Sequence, residues 1–336
     1  MLVKFIDRMN LSRSLPLFLA LSSTLAAHAV TCTTQSQMTE AQRGVYVNAV
    51  QSLASEIQSG NVAAVKANTI PSVAAQFDAI ASTIQSVSPT IQGAALTIQS
   101  IYSLRATDLK APQDTQFFCS VPGSQLLVTI SIPQLPPGDY ALAITHATGG
   151  KEPQQISMIL ENNPQGTTQW KLGGLFVRPL ATAGHDGVWY WAQARAYAKK
   201  QQNWNAYFYY QTAAYLLTPV DFISSPNLEK LQKEMSSVRP QGLPDAQPMK
   251  LDVSGQTIDI TNLHTDGTLG GFDLVVNYNT SDTSDPVATR SRNVAVMKAL
   301  LTQHPELREG FHGLWVYADA QNQRPFAIEL PMNQIQ

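Results

Sequence analysis

Residues 185–219 read HDGVWYWAQARAYAKKQQNWNAYFYYQTAAYLLTP, the pattern of a packed helical hairpin. Large aromatics recur at helical spacing around small alanines. Tyr190, Ala194 and Tyr197 share one helical stripe, and Ala206, Tyr210 and Ala213 share the next. The order is large-small-large on the first helix and small-large-small on the second, with Gln201-Gln202-Asn203 as the turn of a packed helical hairpin. Asp186 stands where an N-cap carboxylate accepts the free amide protons of the first turn. Pro219 stops the second helix. The stretch holds more rings than one stripe of two short helices can hide, so some of them meet neighbouring structure or a partner.

This spacing resembles a single unit of the tetratricopeptide family. The chain departs from that pattern in two places: Ala194 stands where the family has its usual glycine, and the proline comes one residue late. A solenoid needs about three stacked repeats to bury its faces. The sequence holds no second copy, and residues 224–237, SSPNLEKLQKEMSS, supply a short helix to cap one unit. The resemblance therefore implies a lone helical hairpin over 185–238.

Working outward toward the N-terminus, residues 36–90 read as helices. Thr39 and Gln42 form a capping-box pattern, Tyr46, Val50, Leu53 and Ile57 recur at helical intervals, and Gly60 supplies a stop. A second helix starts near Pro71 and places Val73, Phe77, Ile80, Ile84 and Val87 on one face. From Ala95 the period changes to that of strands, expected at 95–105, 115–121, 124–132, 139–147, 154–161 and 168–178. Helices followed by an antiparallel meander give an α+β domain over 33–182, its curved sheet wrapping the helix layer. The segment TQWKLGGLF, 168–176, resembles the closing strand of the NTF2-like (cystatin-like) superfamily. That resemblance covers 36–180 and implies a conical cavity between sheet and helices, lined or filled by Phe77, Tyr102, Phe117 and Tyr140.

Beyond the hairpin, RPQGLPDAQPM over 239–249 carries three prolines in a polar setting and reads as a linker. Strands are expected at 250–254, 257–263, 270–278, 312–318 and 324–330. A helix over 286–304 opens near Asp285-Pro286 and buries Val287, Val294, Met297, Leu300 and Leu301. This is a second small α+β domain, over 250–332, and the expected fold class of the whole chain is α+β.

The N-terminus reads as a secretory signal over 1–29. Lys4, Arg8 and Arg13 precede an apolar run from Leu15 to Ala27, and Ala27-His28-Ala29 has the small-x-small form of a cleavage site. The run includes Ser22, Ser23 and Thr24 and is shorter than the roughly 20 residues a membrane span needs, so cleavage is expected over retention as an anchor. A periplasmic or secreted protein meets an oxidising compartment, which makes a Cys32–Cys119 disulfide the economical reading, with two free thiols the alternative. Without the signal, 19 basic residues face 23 acidic ones. That balance, with no basic cluster beyond Lys199-Lys200, excludes a nucleic-acid partner, and no later segment is long enough to span a membrane.

Chemistry is where the sequence is least informative. It holds no G-x-S-x-G elbow, H-E-x-x-H helix, phosphate loop or EF-hand loop. His146, His185, His264, His304 and His312 are scattered singly, so neither a metal nor a cofactor is expected. His264-Thr265-Asp266-Gly267 reads as a hairpin turn. The expected function is that of an exported, non-enzymatic binding or scaffold protein of the bacterial cell envelope, docking a protein or glycan partner through aromatic surface. Its expected binding residues are His185, Asp186, Trp189 and Trp191, at a mouth between sheet domain and hairpin, with Trp204 and Tyr207 among the aromatics that meet either a flanking domain or a peptide or glycan partner. The alternative is an NTF2-like enzyme of isomerase, dehydratase or hydrolase type, with Asp139, Tyr140 or His146 as acid or base.

Overall fold

The computed structural model describes residues 30–120, 123, 126–162 and 170–336. The expected signal, 1–29, lies outside them, as do Thr168 and Gln169 of the Trp-Lys segment. The described chain is mixed α+β with several antiparallel sheets. Strand β1 (Thr31–Thr34) leads to helix α1 (Glu40–Gln58). The capping box forms: Thr39 Oγ1 accepts from the Gln42 amide, and Gln42 Oε1 accepts from the Thr39 amide. Helices α2 (Val62–Ala67), α3 (Pro71–Ala74) and α4 (Asp78–Ile91) follow. The expected single helix from Pro71 is thus two pieces, and the chain turns between them so that Phe77 drops into the core.

The strands are β2 (Ala95–Arg105), β3 (Gln113–Ser120), β4 (Leu127–Leu135), β5 (Asp139–Thr148), β6 (Gln154–Asn162) and β7 (Trp170–Pro179). The expected meander is interrupted. The sheet runs β1-β2-β5-β6-β7, and β3 and β4 leave it as a separate hairpin. The cause lies in β5, whose run Tyr140–Ile144 is apolar without alternation and therefore needs cover on both faces. On one face Ala141 and Ala143 pack beneath α1 and α4. On the other, Tyr140, Leu142 and Ile144 pack against Phe117, Cys119 and Ile130 of the β3–β4 hairpin. Phe77 consequently lies in the helix-side core while Tyr102, Phe117 and Tyr140 lie in the opposite one, so the sheet separates residues that were expected to share a cavity. The Cys32–Cys119 disulfide stitches β1 to β3 across the two layers, with Cα atoms 5.1 Å apart.

Short strands β8 (Ala181–Thr182) and β9 (His185–Asp186) pair ahead of the helical hairpin, α5 (Gly187–Lys199) and α6 (Asn203–Leu217). The six interlocking residues read from the sequence are all buried. Gln201 turns the chain with a left-handed φ of 62°. Strand β10 (Ile223–Ser224) then adds to β4, and α7 (Pro226–Ser237) packs on α6. Helix α6 is buried all round from Trp204 to Tyr210, because one side meets α5 and another meets the C-terminal sheet.

That sheet consists of β11 (Met249–Val253), β12 (Gln256–Asp266), β13 (Asp273–Thr280), β14 (Gly313–Ala320) and β15 (Phe326–Pro331), in that order. Its one parallel pair, β13 with β14, is bridged by α8 (Pro286–Gln303) and α9 (Leu307–Gly310), as a parallel pair requires a crossover. Asp285 caps α8, with Pro286 in the first helical position. Val287 is exposed rather than buried, because the inward stripe of α8 runs through Thr289, Asn293, Val296 and Leu300. His264 and Asp266 lie within β12, paired with Val275 and Asp273, so the expected turn there begins only after Asp266.

Hairpin and C-terminal sheet share one apolar core. Tyr190 and Tyr209 lie 4.8 and 4.9 Å from Phe272, centroid to centroid. Asn205 Nδ2 donates to Glu306 O at 2.6 Å, and Tyr209 Oη donates to Gly310 O at 2.6 Å.

Candidate functional site

A groove of about 570 Å³ opens where the first sheet, past the edge of its β3–β4 cover, meets the helical hairpin. Its floor is strand-built. His146 and Gln155 stand opposite each other on β5 and β6, and His146 Nε2 lies 3.1 Å from Gln155 Oε1. Gln155 is only 6% exposed, and its Nε2 has no hydrogen-bond partner among the described residues. A buried amide left unpaired costs about 1–3 kcal/mol, which a ligand oxygen would recover where a neighbouring side chain shifts to uncover it.

The wall is helix-built. Trp191 and Arg195 are one turn apart on α5, so both reach the groove. The Trp191 indole donates from Nε1 to Glu234 Oε2 at 2.7 Å. Arg195 holds the same carboxylate with two bonds, Nε to Oε2 at 2.7 Å and Nη2 to Oε1 at 2.8 Å, and its guanidinium lies 4.4 Å over the indole ring. The Arg195 hydrogen bonds hold the Glu234 carboxyl below the usual carboxylate range. The ring is therefore fixed from two directions before any ligand arrives. Arg178 ties the wall to the floor, donating to Thr218 O at 2.8 Å and pairing with Asp221 at 2.5 Å.

Of the six expected binding residues, Trp191 is the one that lines this groove. His185, Asp186 and Trp189 cluster at the start of α5, with the His185 ring stacked on Trp189 at 3.6 Å. Trp204 and Tyr207 are 7% and 9% exposed and belong to the C-terminal core, where Trp204 packs on His304 at 4.1 Å. Tyr207 Oη accepts from Arg239 Nη1 at 3.0 Å. Gln155 and Arg195, which line the groove, and Glu234, which holds the wall from α7, were not among the expected residues. The spacing of Arg195 from Trp191 is a legible signal, whereas the approach of Glu234 from another helix is not.

Asp186 Oδ1 accepts from the Trp189 amide at 2.8 Å and so caps α5. Asp186→Ala is expected to cost about 1 kcal/mol, measured as a lower thermal midpoint with an unchanged circular dichroism spectrum of the folded protein. Tyr140 and His146 lie six residues apart on one strand, roughly 20 Å, which is too far for them to act on one substrate atom together. The Tyr140 hydroxyl donates to Pro136 O at 3.0 Å, and burial pushes its pKa up to about 12.

No protein-family model matches the chain, and neither a curated protein nor a solved structure is significantly similar to it. Among the described residues no helix is long and apolar enough to cross a membrane.

Proposed function

We propose that this chain is an exported, non-enzymatic binding or scaffold protein of the bacterial cell envelope, which docks a protein or glycan partner in the groove between its first sheet and its helical hairpin. The observation that carries the reading is the pairing of a pre-oriented indole, Trp191, with a buried unpaired donor, Gln155 Nε2, in one concave site. An aromatic face that covers apolar surface, beside a donor that fixes orientation, is the arrangement of a recognition site. The disulfide and the signal-like N-terminus support export. In this reading the first body is NTF2-like, with the space between sheet and helices filled by side chains such as Phe77 and the other face of the sheet covered by the β3–β4 hairpin, and the helical hairpin is a lone tetratricopeptide-like unit.

The test is affinity capture from the native cell envelope with wild type, Trp191→Ala and Tyr215→Ala as baits. Tyr215 is an exposed ring that does not line the groove. Trp191→Ala is expected to weaken capture by about 2 kcal/mol, more than tenfold, while Tyr215→Ala leaves it unchanged. Recovery of the same species by wild type and Trp191→Ala would sink the proposal, and so would recovery of none.

A further inference from the structure

The face of the C-terminal sheet turned away from α8 gathers residues far apart in sequence. Asp273 opens β13, His312 immediately precedes β14, and Glu329 lies on β15. The register sets Leu274 beside Leu314 and Trp315 beside Glu329, which brings the three side chains to one end of that face. One donor atom from each lies within 4.8 Å of the others. We propose that Asp273, His312 and Glu329 bind one divalent ion of the zinc class.

Four observations support the site. Asp273 Oδ1 and His312 Nδ1 are 3.1 Å apart, close to the roughly 3.4 Å between two ligands of a tetrahedral ion with bonds of about 2.1 Å. Trp315 Nε1 donates to Asp273 Oδ2 at 3.3 Å, which fixes the carboxylate and leaves Oδ1 to face the other donors, as outer hydrogen bonds do around bound metals. Glu329 Oε1 is shielded from water and has no hydrogen-bond partner among the described residues. Finally, the neighbouring backbone leaves room for the donors: a Cβ on Gly271 would sit 2.4 Å from His312 Nδ1, and one on Gly313 would sit 2.7 Å from Glu329 Oε1.

The Asp273 side chain is 4% exposed and that of His312 is 57% exposed, so the site has a buried base and an open mouth where water completes the coordination. An imidazole with two carboxylates favours zinc-class ions over calcium or magnesium, which prefer all-oxygen shells. An ion here would cross-link β13, β14 and β15 at the end of the sheet. The sequence reading passed over this cluster because its histidine stands alone in the chain.

The test is calorimetric titration of the metal-stripped protein with zinc chloride, and with calcium and magnesium chloride in parallel. One equivalent of zinc is expected to bind, with calcium and magnesium at least tenfold weaker. Affinity is expected to fall more than tenfold in His312→Ala and in Glu329→Gln, and about tenfold in Trp315→Phe. His264→Ala, on the same face but outside the cluster, is expected to bind as wild type does. The His312 side chain is exposed, so His312→Ala keeps the fold, as circular dichroism will verify. Absence of stoichiometric zinc binding by wild type, undiminished binding by both ligand variants, or preference for calcium or magnesium would each overturn the assignment.

Discussion

Replacing Cys32 and Cys119 together by alanine is expected to lower the unfolding free energy by about 4 kcal/mol, read as a shift in denaturant midpoint. The bridge joins residues 87 apart, and releasing a loop of that length returns a large conformational entropy to the unfolded chain. Alanine is the right replacement because Cys119 is fully buried between Phe117 and Ile130, where a serine hydroxyl would lack a partner. A local effect accompanies the global one. Strand β1 is only four residues long and pairs with β2 alone, at the edge of its sheet. Without the bridge, amides of Cys32 to Thr34 in the altered chain are expected to exchange faster than those of β5, which lies at the centre of the same sheet. A midpoint shift equivalent to less than 1 kcal/mol would show that the bridge does not restrain the unfolded ensemble.

The elements were legible in the sequence wherever a local pattern carries them. The interlocking stripes of α5 and α6, the capping box at Thr39 and the Asp-Pro start of α8 are each written within a few residues. Pairing was not legible, because strand order depends on which faces need cover. The unbroken apolar run of β5 held the clue, since a strand buried on both faces requires a second layer, and β3–β4 supplies it. The site shows the same limit. Trp191 and Arg195 are a helical pair that spacing reveals, but Glu234 reaches them from another helix, and His146 meets Gln155 only through the β5–β6 register. For Trp204 and Tyr207, aromatic character alone left contact with a flanking domain and contact with a partner both open. A second apolar surface, the C-terminal sheet, claims them, and nothing in residues 185–219 announces that sheet.

Tyr190→Ala is expected to cost about 3–5 kcal/mol, the range for deleting a fully buried aromatic ring. The Tyr190 ring meets Trp189, Tyr209 and Phe272, and its hydroxyl donates to Thr182 O at 3.1 Å. Tyr190→Phe removes only that hydrogen bond and is expected to cost about 1 kcal/mol, so the pair of variants separates ring from hydroxyl. More informative than the size of the loss is where it appears. Tyr190 belongs to the hairpin by sequence, yet Phe272 sits in the segment entering β13. If the shared core makes hairpin and C-terminal sheet one cooperative unit, hydrogen exchange must accelerate by the same factor at α6 and β13 amides. Acceleration confined to α5 and α6 would mean that the hairpin opens independently of the sheet. The distinction reaches the groove, because Trp191 follows Tyr190 on α5 and is oriented through α7. A wall belonging to the cooperative core keeps its indole in place between binding events, whereas an independently opening hairpin would have to be ordered again each time a partner docked.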